Sequence, residues 1–394
     1  MNGIRGAFSV ERCVGPVAVA AGLCVGGVAM GQCEQWASGP IGPSPRQNHG
    51  MVFDGQTQAC LLFGGFRGGV GFNNETWLWN GASWFQPVLS AAPSPRGNFG
   101  LSYDSRARCT FLFGGAVQGS PGTVPDGETW QWDGGAWVNL SPPTSPAARY
   151  NHAMAYDEAR QVTVMFGGWT GARAGDTWIF DGQNWAQVFP PTSPVARSSH
   201  AMAYDSVRHR VVLFGGFTGA WRNDTWEWDG TTWTQSPAIG PSGRQYLGMS
   251  FDSHRGVMVL ACGQQASFVR ADDTWEYDGV SWTEQKAVGN VGIRDQHVLA
   301  YDPVRRETVL HGGYAGGANV LSDLWLLRCS TSCYPDCDTT TGPGVLDIFD
   351  FLCFGNRFSS NDPYACDCDS STGVGVCDIF DFLCFGNAFS AGCP

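Results

Sequence analysis

Lysine occurs once in 394 residues, at Lys286, and charged residues of all kinds make up only 15% of the chain. The two signs are unequal, 23 Lys and Arg against 35 Asp and Glu, for a formal charge of −12. No surplus of cations exists to displace the counterions condensed on a nucleic-acid backbone, so nucleic acid is excluded as a partner. The near-total use of Arg reflects either genome composition or a need for planar hydrogen-bonding cations. Beyond the N-terminal stretch no run approaches the ~20 apolar residues of a spanning helix, so no transmembrane segment is expected. What is abundant is different: 43% hydrophobic residues, 54 Gly, 17 Trp and 24 Phe. That composition excludes an acidic disordered chain and a coiled coil and has an all-β flavour.

Residues 1–31 carry Arg5 and Arg12, an apolar run from Val14 to Met30, and the small-residue pattern Ala29-Met30-Gly31. This is the pattern of a secretory signal cleaved after Gly31, and the protein is expected to be secreted or held at the cell surface. Without Arg5, Glu11 and Arg12 the mature chain has a net charge of −13. Of 15 Cys, nine lie between Cys329 and Cys393. In an exported chain such a density reads as a disulfide framework, because a stretch of about 60 residues buries too little apolar surface to hold itself together. The alternative is structural zinc, against which the spacings Cys333-x3-Cys337 and Cys366-x-Cys368 lack paired CxxC knuckles.

A phrase of about 49 residues recurs six times between these regions. It opens with Arg (46, 96, 149, 197, 244, 294), and eight residues later stands Asp (54, 104, 157, 205, 252, 302). A Gly pair follows at 64–65, 114–115, 167–168, 215–216 and 312–313, altered in the fifth copy to Cys262-Gly263, and then comes Trp77, Trp130, Trp178, Trp226, Trp275 or Trp325. Stretches such as Val211-Val212-Leu213-Phe214 and Thr225-Trp226-Glu227-Trp228 read as strands, and Asp-Gly at 181–182, 229–230 and 278–279 supplies hairpin turns before Trp185, Trp233 and Trp282. Four strands per copy in six copies gives a radial β-propeller. The double Gly and the Trp pair resemble the kelch repeat family, over residues 33–329, which implies that fold and says little of function.

The phase of the copies predicts how the ring closes. Trp36 matches the last-strand Trp of the other copies, Trp84, Trp137, Trp185, Trp233 and Trp282, whereas the sixth copy stops after Trp325-Leu326-Leu327. The N-terminal strand is therefore expected to complete the sixth blade. Cys33, three residues before Trp36, and Cys329, four after Trp325, both map onto one missing turn, so a Cys33–Cys329 disulfide is expected in its place.

A residue present in every copy serves the blade, so the repeated Arg and Asp, and the acids before the Thr-Trp pairs (Glu75, Glu128, Asp176, Asp224, Asp273), read as structural. Function is sought where copies differ. Three residues past the Arg stand His49, His152, His200 and His297, with Phe99 and Leu247 in the other two copies. Either the four imidazoles converge on the channel mouth and bind a transition metal, or each bonds a backbone carbonyl in the adjacent blade. The kelch fold overlaps with that of galactose oxidase, a copper enzyme with a Tyr-Cys crosslink, but no such constellation is matched here, and oxidase activity is not carried over. The loops after the Gly pairs begin with Phe66, Ala116, Trp169, Phe217, Gln264 and Tyr314 and add Arg67, Arg173, Trp221, Arg222, Phe268 and Arg270. Such a set either lines a surface for sugar rings or a protein partner, with Phe66, Trp169, Arg173, Phe217, Trp221, Arg222, Arg270 and Tyr314 as ligand contacts, or caps the core between blades.

Residues 333–394 hold two copies 31 residues apart, each an acidic loop leading into an apolar stretch: Asp336-Cys337-Asp338 to Asn356, and Asp367-Cys368-Asp369 to Asn387. With Gly392-Cys393 near the end, the segment resembles the Gly-Cys-terminated bacterial type of dockerin. The resemblance implies short helices, calcium held by Asp336, Asp338, Asp347 and Asp350 and by Asp367, Asp369, Asp378 and Asp381, and a cohesin-like or cell-envelope partner. The loop length and the missing fifth-position Asp depart from that pattern, and disulfides in place of calcium are the alternative staple.

The expected organisation is thus a signal peptide (1–31), an all-β six-bladed kelch-type propeller closed by the N-terminal strand (32–329), and a disulfide-rich dockerin-like helical tail (330–394). The expected function is non-catalytic binding of an extracellular glycan or protein, with tethering through the tail. Calcium in the tail is the one expected cofactor, with none in the propeller. The alternatives are a metal-dependent oxidase or hydrolase using the channel His set, and a purely structural surface protein.

Overall fold

A computed structural model describes residues 35–120 and 122–328. The signal segment, Cys33, Cys329 and the whole dockerin-like tail, with its eight Asp, lie outside the described residues. Among those described there is no α-helix, only two short 3-10 turns, and no helix long and apolar enough to cross a membrane.

The described strands form six antiparallel sheets of four or five strands, numbered here in chain order, and one two-stranded ribbon of Phe66–Arg67 with Gly71–Phe72. Sheet 3 shows the plan: Ala153–Asp157, Val162–Phe166, Thr177–Phe180 and Trp185–Val188 pair in succession as a meander. Sheets 1, 2, 4 and 5 repeat it around Gly50–Asp54, Gly100–Asp104, Ala201–Asp205 and Gly248–Asp252. Sheet 6 is built from Val298–Asp302, Glu307–Gly316 and Asn319–Arg328, and its fourth strand is Ala37–Ser38 from the other end of the chain, with Ala37 opposite Leu326.

The second strand of each sheet is mostly apolar because both its faces are covered, and in sheet 1 it is apolar throughout. In Ala59–Phe63 every residue is buried; Leu61 and Phe63 pack with Leu112, Trp132 and Trp137 of sheet 2, while Cys60 and Leu62 pack with Val309, Leu324 and Leu326 of sheet 6. Each of the six seams between neighbouring sheets holds one such apolar cluster, so the core is distributed around the molecule.

Two closed rings of backbone hydrogen bonds run through all six sheets. The N–H of Asn98 donates to the carbonyl of Asn48, Asn151 to Asn98, Ser199 to Asn151, Tyr246 to Ser199, Gln296 to Tyr246, and Asn48 to Gln296, each at 2.8–3.0 Å. The second ring joins the last residue of each Gly pair to the repeated Arg of the next sheet, from Gly65 to Arg96 around to Gly313 and Arg46. This close approach is why Gly is needed. Gly65 has φ +99°, and a Cβ there would lie 2.8 Å from the Cβ of His49. Its partner Gly64, at φ +63°, would bring a Cβ within 2.7 Å of the Arg96 carbonyl. Cys262 holds the corresponding left-handed position in sheet 5 with φ 54°, at a strain cost of roughly 1–3 kcal/mol.

In sheets 2, 5 and 6 the chain does not leave the sheet at the Gly pair. The strands Cys109–Gly119, Val257–Gln265 and Glu307–Gly316 pass through it by a register shift and continue as long hairpins. The loops expected there are therefore paired β-ribbon in these three copies.

Candidate functional site

The repeated Arg is a clamp within each sheet. Arg149 is 1% exposed; its guanidinium donates to the Gly167 carbonyl at 2.9 Å and to both oxygens of Asp176 at 2.7 and 2.9 Å. Asp176 also accepts from the indole N–H of Trp178 at 2.7 Å. The same Arg, acid and Trp set recurs with Glu75, Asp224 and Asp273, and with Asp323 in sheet 6, a member the sequence reading missed because Leu324 replaces the marker Thr. Burial raises the cost of ionising Asp224, but its bonds to Arg197 outweigh that and hold its carboxyl down at about 2. Asp54 caps its turn by accepting from the Gln56 and Thr57 amides, and it reaches sheet 2 through Thr110. Such groups are spent on the fold.

The His set lies in the seams. His152, His200 and His297 are turned to the carbonyls of Phe113, Phe166 and Ala261, each the residue before the Gly pair of the preceding sheet. None of their ring nitrogens meets a partner at full hydrogen-bonding geometry, and burial holds His152 and His297 neutral, down at about 3. Among the described residues no three His, Cys, Asp or Glu side chains gather as a metal site.

The loop residues fall into three groups. Trp169, Arg173, Phe217 and Trp221 come together. The loops Trp169-Thr170-Gly171-Ala172-Arg173 and Phe217-Thr218-Gly219-Ala220-Trp221 share one conformation, each tied by a backbone bridge between its first and last residue. The last side chain of each loop leans onto the next sheet. The Arg173 guanidinium lies 4.6 Å from the centre of the Phe217 ring and 5.6 Å from that of Trp169. Trp221 packs edge-on to Phe217 at 5.1 Å and to Phe268 of sheet 5 at 6.1 Å. Among the described residues Arg173 has no carboxylate partner, its Nε is buried without a hydrogen bond, and the Trp221 indole N–H is buried without one as well. Arg222 beside them meets Asp224 only at 3.5 Å.

Phe268 is 69% exposed and Val269 is 55% exposed, and the turn presenting them has two consecutive left-handed residues, Ser267 and Phe268. Between this turn and the sheet 4 loop is a cleft of ≈ 440 Å³ lined by Ala220, Trp221, Ser242, Gly243, Gln265, Ala266 and Val269. Strained backbone displaying apolar side chains beside a cleft is the kind of arrangement found at binding sites.

The second group is Arg270 with Tyr314, whose ring it covers at 4.6 Å. Here the seam between sheets 5 and 6 carries a polar lock missed in the sequence. Asp295, fully buried, is paired with Arg270 at 2.9 Å and accepts from Gln264 and Gln296. Its carboxyl is pushed up by burial, with Arg270 opposing. The signal was an acid directly after Arg294, where other copies have Gln47, Gly97, Tyr150, Ser198 and Gln245. Phe66 stands apart in the two-stranded ribbon between strands of sheet 1, packed on Phe72 at 5.4 Å.

Residues 100–283 match the model of the KLHDC2/KLHL20/DRC7 Kelch-repeats domain. No curated protein matches the chain. Among solved structures, the one titled "Structure of YjhT" is similar in fold, with 14% identity and a TM-score of 0.57 over 74% of this chain and 97% of that one. The repeats, the antiparallel sheets and these two likenesses agree on a β-propeller fold, with similarity to kelch repeats over residues 100–283.

Proposed function

We propose that the six sheets are the blades of a closed six-bladed propeller, exported by its N-terminal signal, that binds a glycan or protein ligand without catalysis. The ligand sits on the face that carries Trp169, Arg173, Phe217, Trp221 and Phe268. The observation that carries this reading is the aromatic and Arg ladder across sheets 3, 4 and 5, with buried donors on Arg173 and Trp221 that no group among the described residues satisfies. Rings offer apolar faces to sugars or apolar side chains, and guanidinium and indole N–H groups fix orientation. Arg270 and Tyr314 extend the surface to sheet 6, and Phe66 with Arg222 flank it.

The tail is proposed to attach the propeller to a cell-envelope or cohesin-like partner, with calcium on its paired Asp loops, and Cys33–Cys329 to staple the ring. The test of ligand binding is a glycan-array and pull-down screen with the full chain and with an Arg173→Ala, Trp221→Ala variant. Ligand retained by the native protein and lost by a variant of unchanged melting temperature is the expected result. Retention by both places the site elsewhere.

A further inference from the structure

Five of the six seams are bridged by the same buried hydrogen bond, in which a last-strand indole donates to the Thr of the preceding sheet: Trp137 to Thr76, Trp185 to Thr129, Trp233 to Thr177, Trp282 to Thr225, and Trp36 to Thr274. The seam between sheets 6 and 1 lacks it. Leu324 stands where the Thr would be, and the buried Trp84 N–H has no partner. The same seam differs at the residue before the Gly pair. Phe63, Phe113, Phe166, Phe214 and Ala261 hold that position elsewhere, and His311, with no exposed surface, holds it here. His311 Nδ1 lies 3.2 Å from His49 Nε2, and the Trp84 ring packs edge-on to His311 at 5.4 Å.

We propose that the seam between sheets 6 and 1 is an acid-sensitive latch, closed while the buried His49 and His311 pair is neutral and opened when both rings take up protons. One neutral imidazole donates and the other accepts across 3.2 Å, and two imidazolium ions have only donors to present to each other. Among the described residues neither outer nitrogen, His49 Nδ1 or His311 Nε2, meets a partner at full hydrogen-bonding geometry; the one acceptor near His49 is the His311 carbonyl, whose pull burial outweighs. The charged and titratable groups facing the pair add to the effect. From sheet 1 comes Arg46; from sheet 6 come His297, Arg294 and Asp323, a single carboxylate against two guanidinium groups. Burial first depresses both imidazoles; the His311 ring and then Arg46 add to it for His49, and Arg46 adds to it for His311, which lies down at about 3.

The sign follows from proton counting. An opened seam returns each imidazole to its ordinary value near 6.5, so the opened state binds more protons below that pH and gains population as pH falls. From pH 7 to pH 5 the gain is about 25-fold for one imidazole and roughly 600-fold for the pair. Among the described residues no helix or further strand covers this seam; the fourth strand of sheet 6 is the two-residue Ala37–Ser38.

The experiment is amide hydrogen exchange with mass spectrometry on the full chain at pH 7 and pH 5, corrected for intrinsic rates, with and without reductant. Peptides covering Gly50–Asp54, Val298–Asp302 and Asn319–Arg328 are expected to gain exchange at pH 5 well beyond those covering Ala153–Asp157 and Ala201–Asp205. His311→Phe, which restores the residue used in sheets 1 to 4, removes that difference. His49→Phe, copying Phe99, tests the same pair if the first variant does not fold. A gain spread evenly over all seams, no gain in either redox state, or a gain that survives both substitutions overturns the latch.

Discussion

The indole N–H of Trp36 donates to Thr274 Oγ1 across 3.1 Å, although 238 positions separate the two residues. This bond, and the pairing of Ala37 with Leu326, seat the first described strand at the outer edge of the last sheet. Thr274→Val removes the acceptor and leaves a buried N–H unpaired, at a cost of about 1–3 kcal/mol in denaturant unfolding. At the sixth seam the same logic predicts a gain. Leu324→Thr should be more stable than the isosteric Leu324→Val by about 1 kcal/mol, because Trp84 acquires a partner. Equal stability of these two would mean that the Trp84 indole cannot reach.

The Arg clamps should respond asymmetrically to substitution. Asp176→Ala leaves the Arg149 guanidinium buried and uncompensated, and urea unfolding should show a loss of about 3–5 kcal/mol. Arg149→Lys should also destabilise the fold, since the three donors of one ammonium cannot serve the Ala147 and Gly167 carbonyls and both Asp176 oxygens at once.

Acid should weaken the protein in two stages. The folded-state values of His152, His297 and His311 lie near 3, below the ordinary 6.5, so their contribution is complete above pH 6.5 and declines as pH falls toward 3. Asp224, held at about 2, contributes above its ordinary value of 3.8 and loses that contribution as pH falls from there toward 2. Unfolding free energies measured from pH 7 to pH 4 should fall with pH. In His152→Phe, which copies Phe99, the slope should be shallower by one proton, about 1.4 kcal/mol per pH unit.

Calcium titrated calorimetrically into the full chain should release heat that an Asp350→Ala, Asp381→Ala variant lacks. Chelation should lower the thermal stability of the native protein by mass action, more at low ionic strength than at high. No heat in the native protein would leave disulfides as the staple of that region.

Six copies of one phrase made much of the fold legible. The Gly pairs, the Asp eight residues after each Arg and the paired Trp residues marked strands and turns because local chemistry demands particular residues there: positive φ at Gly182, a turn-capping carboxylate at Asp205. Even the N-terminal closure was legible, since Trp36 carried the phase of a last strand. The sequence alone could not say whether His49, His152, His200 and His297 meet at one point or lie apart in the seams. That depends on how far each strand is rotated about its axis in the ring, which no local pattern encodes. Nor could it pair Arg173 with Phe217 or His311 with His49, since these contacts join different copies across a seam. Asp295 shows the same limit: its sequence neighbours mark it only as unusual, and its meaning comes from Arg270 and Gln264, brought to it by the packing of sheet 5 against sheet 6. Repetition determined each sheet because hydrogen bonding and burial within a copy are local. The seams, where the copies' differences meet, were decided only by the closed tertiary structure.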